Sequence, residues 1–554
     1  MIALLHGYLL DGSGSNLWTQ AIARSLCRIG EDVQLVCQER HPEAYDFVAE
    51  ARTYPVDGLA EVLFRRDTPY PGRCVLHRPE LGDTLPVYVP DRYEGFDHVV
   101  PMVELSDGAI EDYLRRNVAV VEAVVAETGV EALVANHAVL MSVVARRVAA
   151  GRDLPYAVMP HGSALEYAVN PDPRLREAAR AALSEAAVVF VIGDEMTRRL
   201  DDVFPDLPGL SERMTTLPLG VDVELFQRLP RCDRSGVAGA LASSLEGSPR
   251  GRRPEQARAL AEGVDAAHRA GAPPDAGVLE RLWAASSDYA LKEPDAGLED
   301  ALDRVSWAED DILLFVGRLI AAKGPQYVIA ALPSVLRRRP RARLFLVGHG
   351  PLREPLETMV RALDRADEAL LRRVVELGGR VEDDPKGPAG FTAVGQYLDD
   401  LAARGELADY LESAAAAGIG DRVMFTGYLT HDRLRHLFPA ADVAAFPSRV
   451  REAGPLVFLE AMAAGVFPLG TYFGGMAASI DATAETLPAD AVERMKLRTP
   501  DAEAGGIVAD IADRAVEALE AAADLGPLLR EHVERRHDWR AVAARLRDAL
   551  SPSA

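Results

Sequence analysis

The sequence predicts an α/β chain built in two halves, and three observations carry that prediction. Apolar runs of three to six residues, short enough for buried strands, recur with helical stretches between them. Glycine-bearing loops follow several of these runs, as at 6–16, 160–163, 317–324 and 348–351. The alternation stops across residues 231–305, which are rich in Ala, Gly, Arg, Asp, Glu and Pro, and restarts at residue 312. At 554 residues the chain also exceeds the ~250–300 residues at which a single core stops growing.

The composition is globular, with 48% hydrophobic residues. A formal net charge of −24 repels nucleic acid and anionic lipid, so neither is expected as a bulk partner. The four cysteines, Cys27, Cys37, Cys74 and Cys232, lack metal spacing, which suits a reduced, cytoplasmic compartment. The opening MIALL is too short for a signal peptide and lacks a basic flank. No run approaches the ~20 apolar residues of a spanning helix. HExxH, GxSxG and Walker patterns are absent from suitable elements.

In the first half, residues 2–5 read as a strand and 6–16 (HGYLLDGSGSN) as a loop. Residues 17–29 then read as a helix ending at Gly30, and 33–37 as a second strand. Gly12 and Gly14 allow a ligand close to the backbone, although GSG does not match a GxGxxG fingerprint. Residues 40–110 give no clear period; they suit either an acceptor pocket or an irregular surface. A helix follows at 110–127, a strand at 132–135 ending in Asn136-His137, and a helix at 139–150. The strand at 156–159 leads into Pro160-His161-Gly162-Ser163. A histidine beside glycine at a parallel strand's carboxyl end sits where doubly wound sheets bind ligands. Residues 187–192 read as a strand, and 216–222 (TLPLGVD) close this half.

Residues 231–305 read as a helical insertion. The strand at 312–316 then runs into Gly317-Arg318 and Lys323-Gly324. Arg offers a two-pronged donor and Lys a mobile point charge, which together suit a diphosphate. A helix at 327–338, a strand at 343–347 and an acidic helical excursion at 364–420 follow. The strand at 423–425 ends in Thr426-Gly427-Tyr428-Leu429, and a short helix spans 431–437. The stretch 446–475 (FPSRVREAGPLVFLEAMAAGVFPLGTYFGG) reads as strand, loop, helix, strand. Pro455 suits the first helical position and Gly465 the end. The Gly454-Pro455 turn points backbone N–H groups and a helix's positive end toward an anion. Glu452 and Glu460 flank that turn and suit hydrogen bonds from sugar or ribose hydroxyls. Helices are expected at 511–525 and 528–550.

Glu452, seven residues and Glu460, set in EAGPLVFLEAMAAG, resemble the E-x7-E motif of the retaining GT-B glycosyltransferases of family four. Gly317-Arg318 with Lys323-Gly324 resembles that family's phosphate clamp. The resemblance implies a GT-B fold, two Rossmann-like domains facing a central cleft, with helical insertions. Residues 1–225 would form the acceptor domain, 226–308 a helical insertion or linker, and 309–535 the nucleotide-sugar domain with its insertion at 364–420. Residues 536–554 would form a terminal helix returning to the first domain. The implied activity is retaining, metal-independent transfer of a sugar from a UDP-, ADP- or GDP-linked donor to a hydroxyl of a small polar acceptor, with no cofactor.

In that reading His161, Arg318, Lys323 and Glu452 are catalytic. Gly14, Gly317, Gly427, Tyr428, Gly454, Pro455, Leu456, Val457 and Glu460 hold the donor, with the 426–429 turn meeting the base through its backbone. The sequence departs from the family pattern at Gly12-Ser13-Gly14-Ser15, at Leu219 before Gly-Val-Asp, and at Ala477-Ala478 after the Gly474-Gly475 turn. A nucleotide-sugar-binding protein without transfer and a nucleotide-sugar epimerase stay open as alternatives. A phosphorylase's pyridoxal-lysine motif is absent.

Overall fold

The computed structural model describes residues 1–56, 59–82, 84–88, 96, 98–269, 275–382, 390–452, 454–498 and 506–550. The chain divides into a unit of residues 1–220 and 535–554 and a unit of residues 221–534. Each is organised by a largely parallel sheet. Strands covered on both faces need no alternation, which is why their sequences read as unbroken apolar runs.

In the first unit, β1 (Ile2–Leu5) and β2 (Val33–Val36) are buried at every position. β3 (Val48–Tyr54), β4 (Glu61–Arg65) and β5 (Cys74–Pro79) follow, then a separate two-stranded pair, β6 (Thr84–Val87) and β7 (His98–Pro101). β8 (Ala132–Asn136), β9 (Tyr156–Met159), β10 (Val188–Val191) and β11 (Met214–Thr216) complete a nine-stranded sheet ordered β11-β10-β9-β8-β1-β2-β5-β3-β4. Only β3–β4 pairs antiparallel within it.

Residues 40–110 therefore hold five strands that sequence periodicity does not show. β3 (VAEARTY) hides its burial behind charge. Glu50 is 2% exposed and meets Arg52, Arg65 and Arg73. Burial pushes its carboxyl up, but these three guanidinium groups outweigh that and hold it at about 2.

The first helix is Gly14–Arg28, one turn earlier than its apolar periodicity implies, because the Ser13 hydroxyl caps it by accepting from Asn16 N–H. Residues 217–222 lie beyond β11. The closing helices are Gly506–Arg536 and Trp539–Leu550. Pro527 does not interrupt the former, whose buried stripe of Leu525, Leu529 and Val533 runs past it. Trp539 packs against Gly220, where any Cβ would lie 2.2 Å from the indole ring. The neighbouring His537 Nδ1–H donates to Leu219 O at 2.7 Å.

The second unit is a six-stranded sheet of β12 (Asp311–Val316), β13 (Ala342–Val347), β14 (Val423–Gly427), β15 (Val443–Phe446), β16 (Phe467–Thr471) and β17 (Lys496–Leu497). Its order is β14-β13-β12-β15-β16-β17, all parallel. The insertion at 231–305 contributes helices Val237–Leu245, Pro254–Arg269, Ala276–Ser286 and Leu298–Leu302; residues 270–274 lie outside the described residues. The excursion at 364–420 contributes Glu368–Leu377, Thr392–Ala403 and Leu407–Ala416; residues 383–389 lie outside the described residues.

Buried charge fastens the first insertion to the helix Arg353–Asp364 that follows β13. Arg252 donates to Glu354 Oε1 at 2.8 Å and Glu357 Oε2 at 2.7 Å, while Arg353 donates to Asp295 Oδ2 at 2.6 Å. Arg353 also lies over the Phe425 ring at 4.3 Å. Removing one member of such a network strands the others without a counter-charge. Arg252→Ala is expected to destabilise the second unit by ~3–5 kcal/mol, the range for a broken buried pair. Urea unfolding followed by tryptophan fluorescence, with Trp283 in this insertion as reporter, checks it.

Candidate functional site

The strand order of the second unit decides where a site can form. β12 is flanked by β13 on one side and β15 on the other, and chain direction across the sheet reverses between β12 and β15. Loops leaving the carboxyl ends of two such strands diverge and open a crevice. The loop after β12 carries Gly317, Arg318 and Lys323; the loop after β15 carries Glu452, Gly454 and Pro455.

Three loops interlock there. Gly324 adopts φ +76°, and a Cβ on it would lie 2.4 Å from Pro447 O. Arg449 N–H donates to Ala322 O at 2.7 Å, and Gly475 N–H donates to Glu452 O at 2.8 Å. The Gly348-His349-Gly350 loop lies flat against Gly317–Leu319, so close that a Cβ at Gly348 would sit 1.9 Å from Gly317 O. Leu319 N–H donates to His349 O at 2.8 Å in the same contact.

Within this frame Lys323 Nζ stands 2.8 Å from Glu452 Oε1, uniting two motifs far apart in sequence. Arg318 is exposed and makes no ion pair with another described residue. Pro455 occupies the cap rather than the first helical position, and the helix runs Leu456–Ala463. Pro455 is buried, while Gly454, Leu456 and Val457 are half-buried at the turn. Glu460 is 4% exposed. Its Oε1 lies 2.9 Å from His431 Nδ1, while its Oε2 is buried with no partner among the described residues. His431 begins the short helix His431–Leu437, and nothing in its sequence context marks it as the partner of Glu460.

The turn at Gly427 and Tyr428 is engaged by the insertion. Tyr428 N–H donates to Glu293 O at 3.1 Å, and Asp295 N–H donates to Thr426 O at 2.9 Å. Gly427 adopts φ +72°, and a Cβ there would strike Asp295 at 2.6 Å. This backbone addition from 293–295 is invisible to composition.

The first unit has its own reversal, between β1 and β8, and histidines collect there. Asn136 at the end of β8 donates from Nδ2 to His6 Nδ1 at 3.2 Å, so His6 Nε2–H donates to Leu9 O at 3.0 Å and Asn16 Oδ1 at 3.1 Å. His161 Nε2–H donates to Asn136 Oδ1 at 3.2 Å. His137 adopts φ +71°, and both its ring nitrogens are buried without partners among the described residues. Its ring packs on Tyr88 at 4.5 Å and His161 at 4.8 Å. Sequence reasoning reached His161 and His137 but missed His6, Asn136 and Tyr88. The first two sit at strand ends, the one local signal available. Gly14 lies in the first helical turn with open space beyond its Cα, so the fold itself does not require glycine there.

Residues 303–384 and 389–488 match the family model of Glycosyl transferases group 1. Across 99% of this chain, sucrose-phosphate synthase from Thermosynechococcus elongatus superposes with a TM-score of 0.51 at 18% identity, covering 97% of that chain. A structure from E. coli described as trehalose-6-phosphate bound with UDP-2-fluoro glucose superposes with a TM-score of 0.51 at 12% identity, covering 100% of this chain and 99% of that one. The chain has the GT-B fold, and its second unit is similar to Glycosyl transferases group 1.

Among curated proteins similar to this chain, a GDP-mannose-dependent alpha-(1-6)-phosphatidylinositol monomannoside mannosyltransferase from Mycobacterium tuberculosis is 26% identical over 45% of this chain and 49% of its own length. An alpha-D-kanosaminyltransferase from Streptomyces kanamyceticus is 25% identical over 33% of this chain and 34% of its own. The chain thus spans about half, or less, of the curated relatives it matches. No helix among the described residues is long and apolar enough to cross a membrane.

In this GT-B chain the histidine cluster is held neutral. Burial lowers His6 to about 4 and His161 to about 3, and burial together with its two histidine neighbours pushes His137 well down. Unfolding releases these rings to an ordinary value of 6.5. Their contribution to stability is therefore complete above pH 6.5 and is lost as pH falls toward 4 and then 3. Stability measured by urea titration is expected to fall across pH 6.5–4, and His6→Gln is expected to flatten that slope.

Proposed function

We propose that the chain transfers a sugar from a nucleoside-diphosphate donor to a hydroxyl acceptor with retention at the anomeric carbon. The observation that carries this reading is the 2.8 Å Lys323–Glu452 pair at the reversal point between β12 and β15. In this reading the donor's diphosphate competes with Glu452 for Lys323, and exposed Arg318 supplies a second cation. Lys323 and Arg318 would then stabilise negative charge as the anomeric C–O bond breaks, without a divalent ion. The acceptor oxygen bonds the anomeric carbon on the same face, and its proton passes to the departing phosphate oxygen. Glu452, released from Lys323, would accept from sugar hydroxyls.

Glu460 Oε2, buried and unpartnered among the described residues, suits a ribose hydroxyl, since a carboxylate oxygen in that setting lacks only a donor. His161, in the first unit, is assigned to the donor sugar, and Gly14 to the donor by its loop position. Gly317, Gly454, Pro455, Leu456 and Val457 are assigned to the donor through their backbones; Gly427 and Tyr428 keep that assignment only through backbone groups other than Tyr428 N–H and Gly427 O, which Glu293 O and Gly348 N–H already engage. The acceptor is a small polar molecule in a cytoplasmic setting, consistent with the net charge of −24. The relative from M. tuberculosis is GDP-mannose-dependent by name, which places GDP beside UDP and ADP among donors to try.

Thermal unfolding with UDP, ADP, GDP and their sugar conjugates tests donor binding. One nucleotide series is expected to stabilise the chain, by ~2.7 kcal/mol at 100 times its Kd, and Glu460→Ala is expected to abolish that shift. No shift with any nucleotide would sink the proposal. With the donor known, Arg318→Ala and Lys323→Ala are each expected to lower kcat by ~10²-fold or more, the scale for losing one donor to developing charge. Donor-hydrolysis and transfer rates provide the readout, and a loss below about tenfold would remove either residue from the mechanism.

A further inference from the structure

A chain of hydrogen bonds runs through the histidine cluster of the first unit, and groups with only one possible role fix its direction. Leu9 O and Asn16 Oδ1 both lie against His6 Nε2, at 3.0 and 3.1 Å. A carbonyl oxygen only accepts, and the Asn16 amide is oriented by its own Nδ2–H, which donates to Asp11 O at 2.6 Å. His6 Nε2 therefore carries the proton. Burial holds this ring neutral, at about 4, so His6 Nδ1 is bare and accepts. Its partner is Asn136 Nδ2 at 3.2 Å. A second anchor turns the amide the same way. The Thr19 hydroxyl donates to Ser15 O at 2.8 Å, which leaves its oxygen to accept from Asn136 Nδ2 at 2.5 Å. Asn136 Oδ1 is thereby set toward His161 Nε2 at 3.2 Å. An amide oxygen only accepts, so the one proton of neutral His161 sits on Nε2 and its Nδ1 is bare.

We propose that Asn136 is a positioning residue: it holds His161 in the form protonated at Nε2, so that Nδ1 accepts from a hydroxyl of the donor sugar. The identity of that partner rests on the transfer reading above; the tautomer does not. His161 Nδ1 is the open end of the chain. It makes no hydrogen bond with a described residue, and unlike both nitrogens of His137 it is not sealed from solvent. His161 as a whole is 8% exposed, which leaves room for a small group at that atom. A bare ring nitrogen repels a phosphate oxygen and takes a hydrogen-bond donor, which a sugar supplies at each hydroxyl. The ring thus reads the position of a hydroxyl and has no proton to give at Nδ1. The backbone sets the chain up: His6, Asn136 and His161 lie at the carboxyl ends of β1, β8 and β9, which are neighbours in the sheet. The first helix, Gly14–Arg28, supplies Asn16 and Thr19.

Magic-angle-spinning NMR of the full chain, labelled with nitrogen-15 at histidine, reads which ring nitrogen is bare, and the spectrum of His161→Gln identifies the His161 signals. At neutral pH and without substrate, Nδ1 is expected to be the bare nitrogen. Asn136→Ala is expected to give a mixture of both neutral forms. Thr19→Val removes one anchor and keeps the amide; it is expected to admit the same mixture to a smaller degree, and it carries the test if circular dichroism shows Asn136→Ala unfolded. A proton on Nδ1 in the unaltered chain overturns the proposal, as does a tautomer indifferent to both substitutions. UDP-glucose, ADP-glucose and GDP-mannose are then added in turn. The one that binds is expected to move the Nδ1 signal, and its nucleoside diphosphate alone is expected to leave it in place. A bound donor that leaves Nδ1 unmoved overturns the hydroxyl contact. If none of the three binds, the transfer reading fails, while the tautomer measured without substrate still decides the role of Asn136.

Discussion

The direction reversal at the centre of each sheet is the constraint on which the candidate sites depend. A parallel sheet sends every loop that leaves a strand to one end, and only where consecutive connections part does that end open into a crevice. In the second unit the parting lies between β12 and β15, so a Lys from one loop and a Glu from another meet without either strand being distorted. In the first it lies between β1 and β8, so His6, Asn136 and His137 gather there, with His161 one strand further. Glycine at 324, 348 and 427 then lets neighbouring loops approach to distances that a Cβ would forbid. The chemistry is thus inherited from topology, and the side chains specify which chemistry.

The strands that bear the site were legible because burial on both faces leaves continuous apolar sequence, as in DILLFV. The loop carrying Arg318 and Lys323 and the glutamates after β15 were legible because they follow such strands at short range. What was not legible is tertiary. The pairing of Glu460 with His431, the asparagine bridge between His6 and His161, and the use of Tyr428 N–H by Glu293 all join segments that carry no local mark of one another. β3 failed for a different reason. A buried glutamate satisfied by three arginines looks, in sequence, like a solvated surface.

The insertion at 231–305 is not an ornament on the second sheet. Its Arg252 enters a buried set of carboxylates, and residues 293–295 add their backbone beside β14, at the turn that the family resemblance assigns to the base. Whatever selectivity that turn has is therefore set partly by a segment outside the ordinary strand–loop–helix pattern. Buried ion pairs add little net stability over apolar packing but are costly to break one-sidedly. They suit a contact that must keep one arrangement.

The return of the chain to the first unit has a consequence for how the protein is made. The helix Trp539–Leu550, seated by Trp539 against Gly220, leaves the ribosome after the second unit, whereas the central strand β1 leaves before it. At roughly 5–20 residues per second, the nascent first sheet waits some tens of seconds, while the whole second unit is synthesised, for the piece that covers it. Its apolar surface must stay out of trouble for that interval. A ribosome stalled in the second unit would release a first unit lacking this helix.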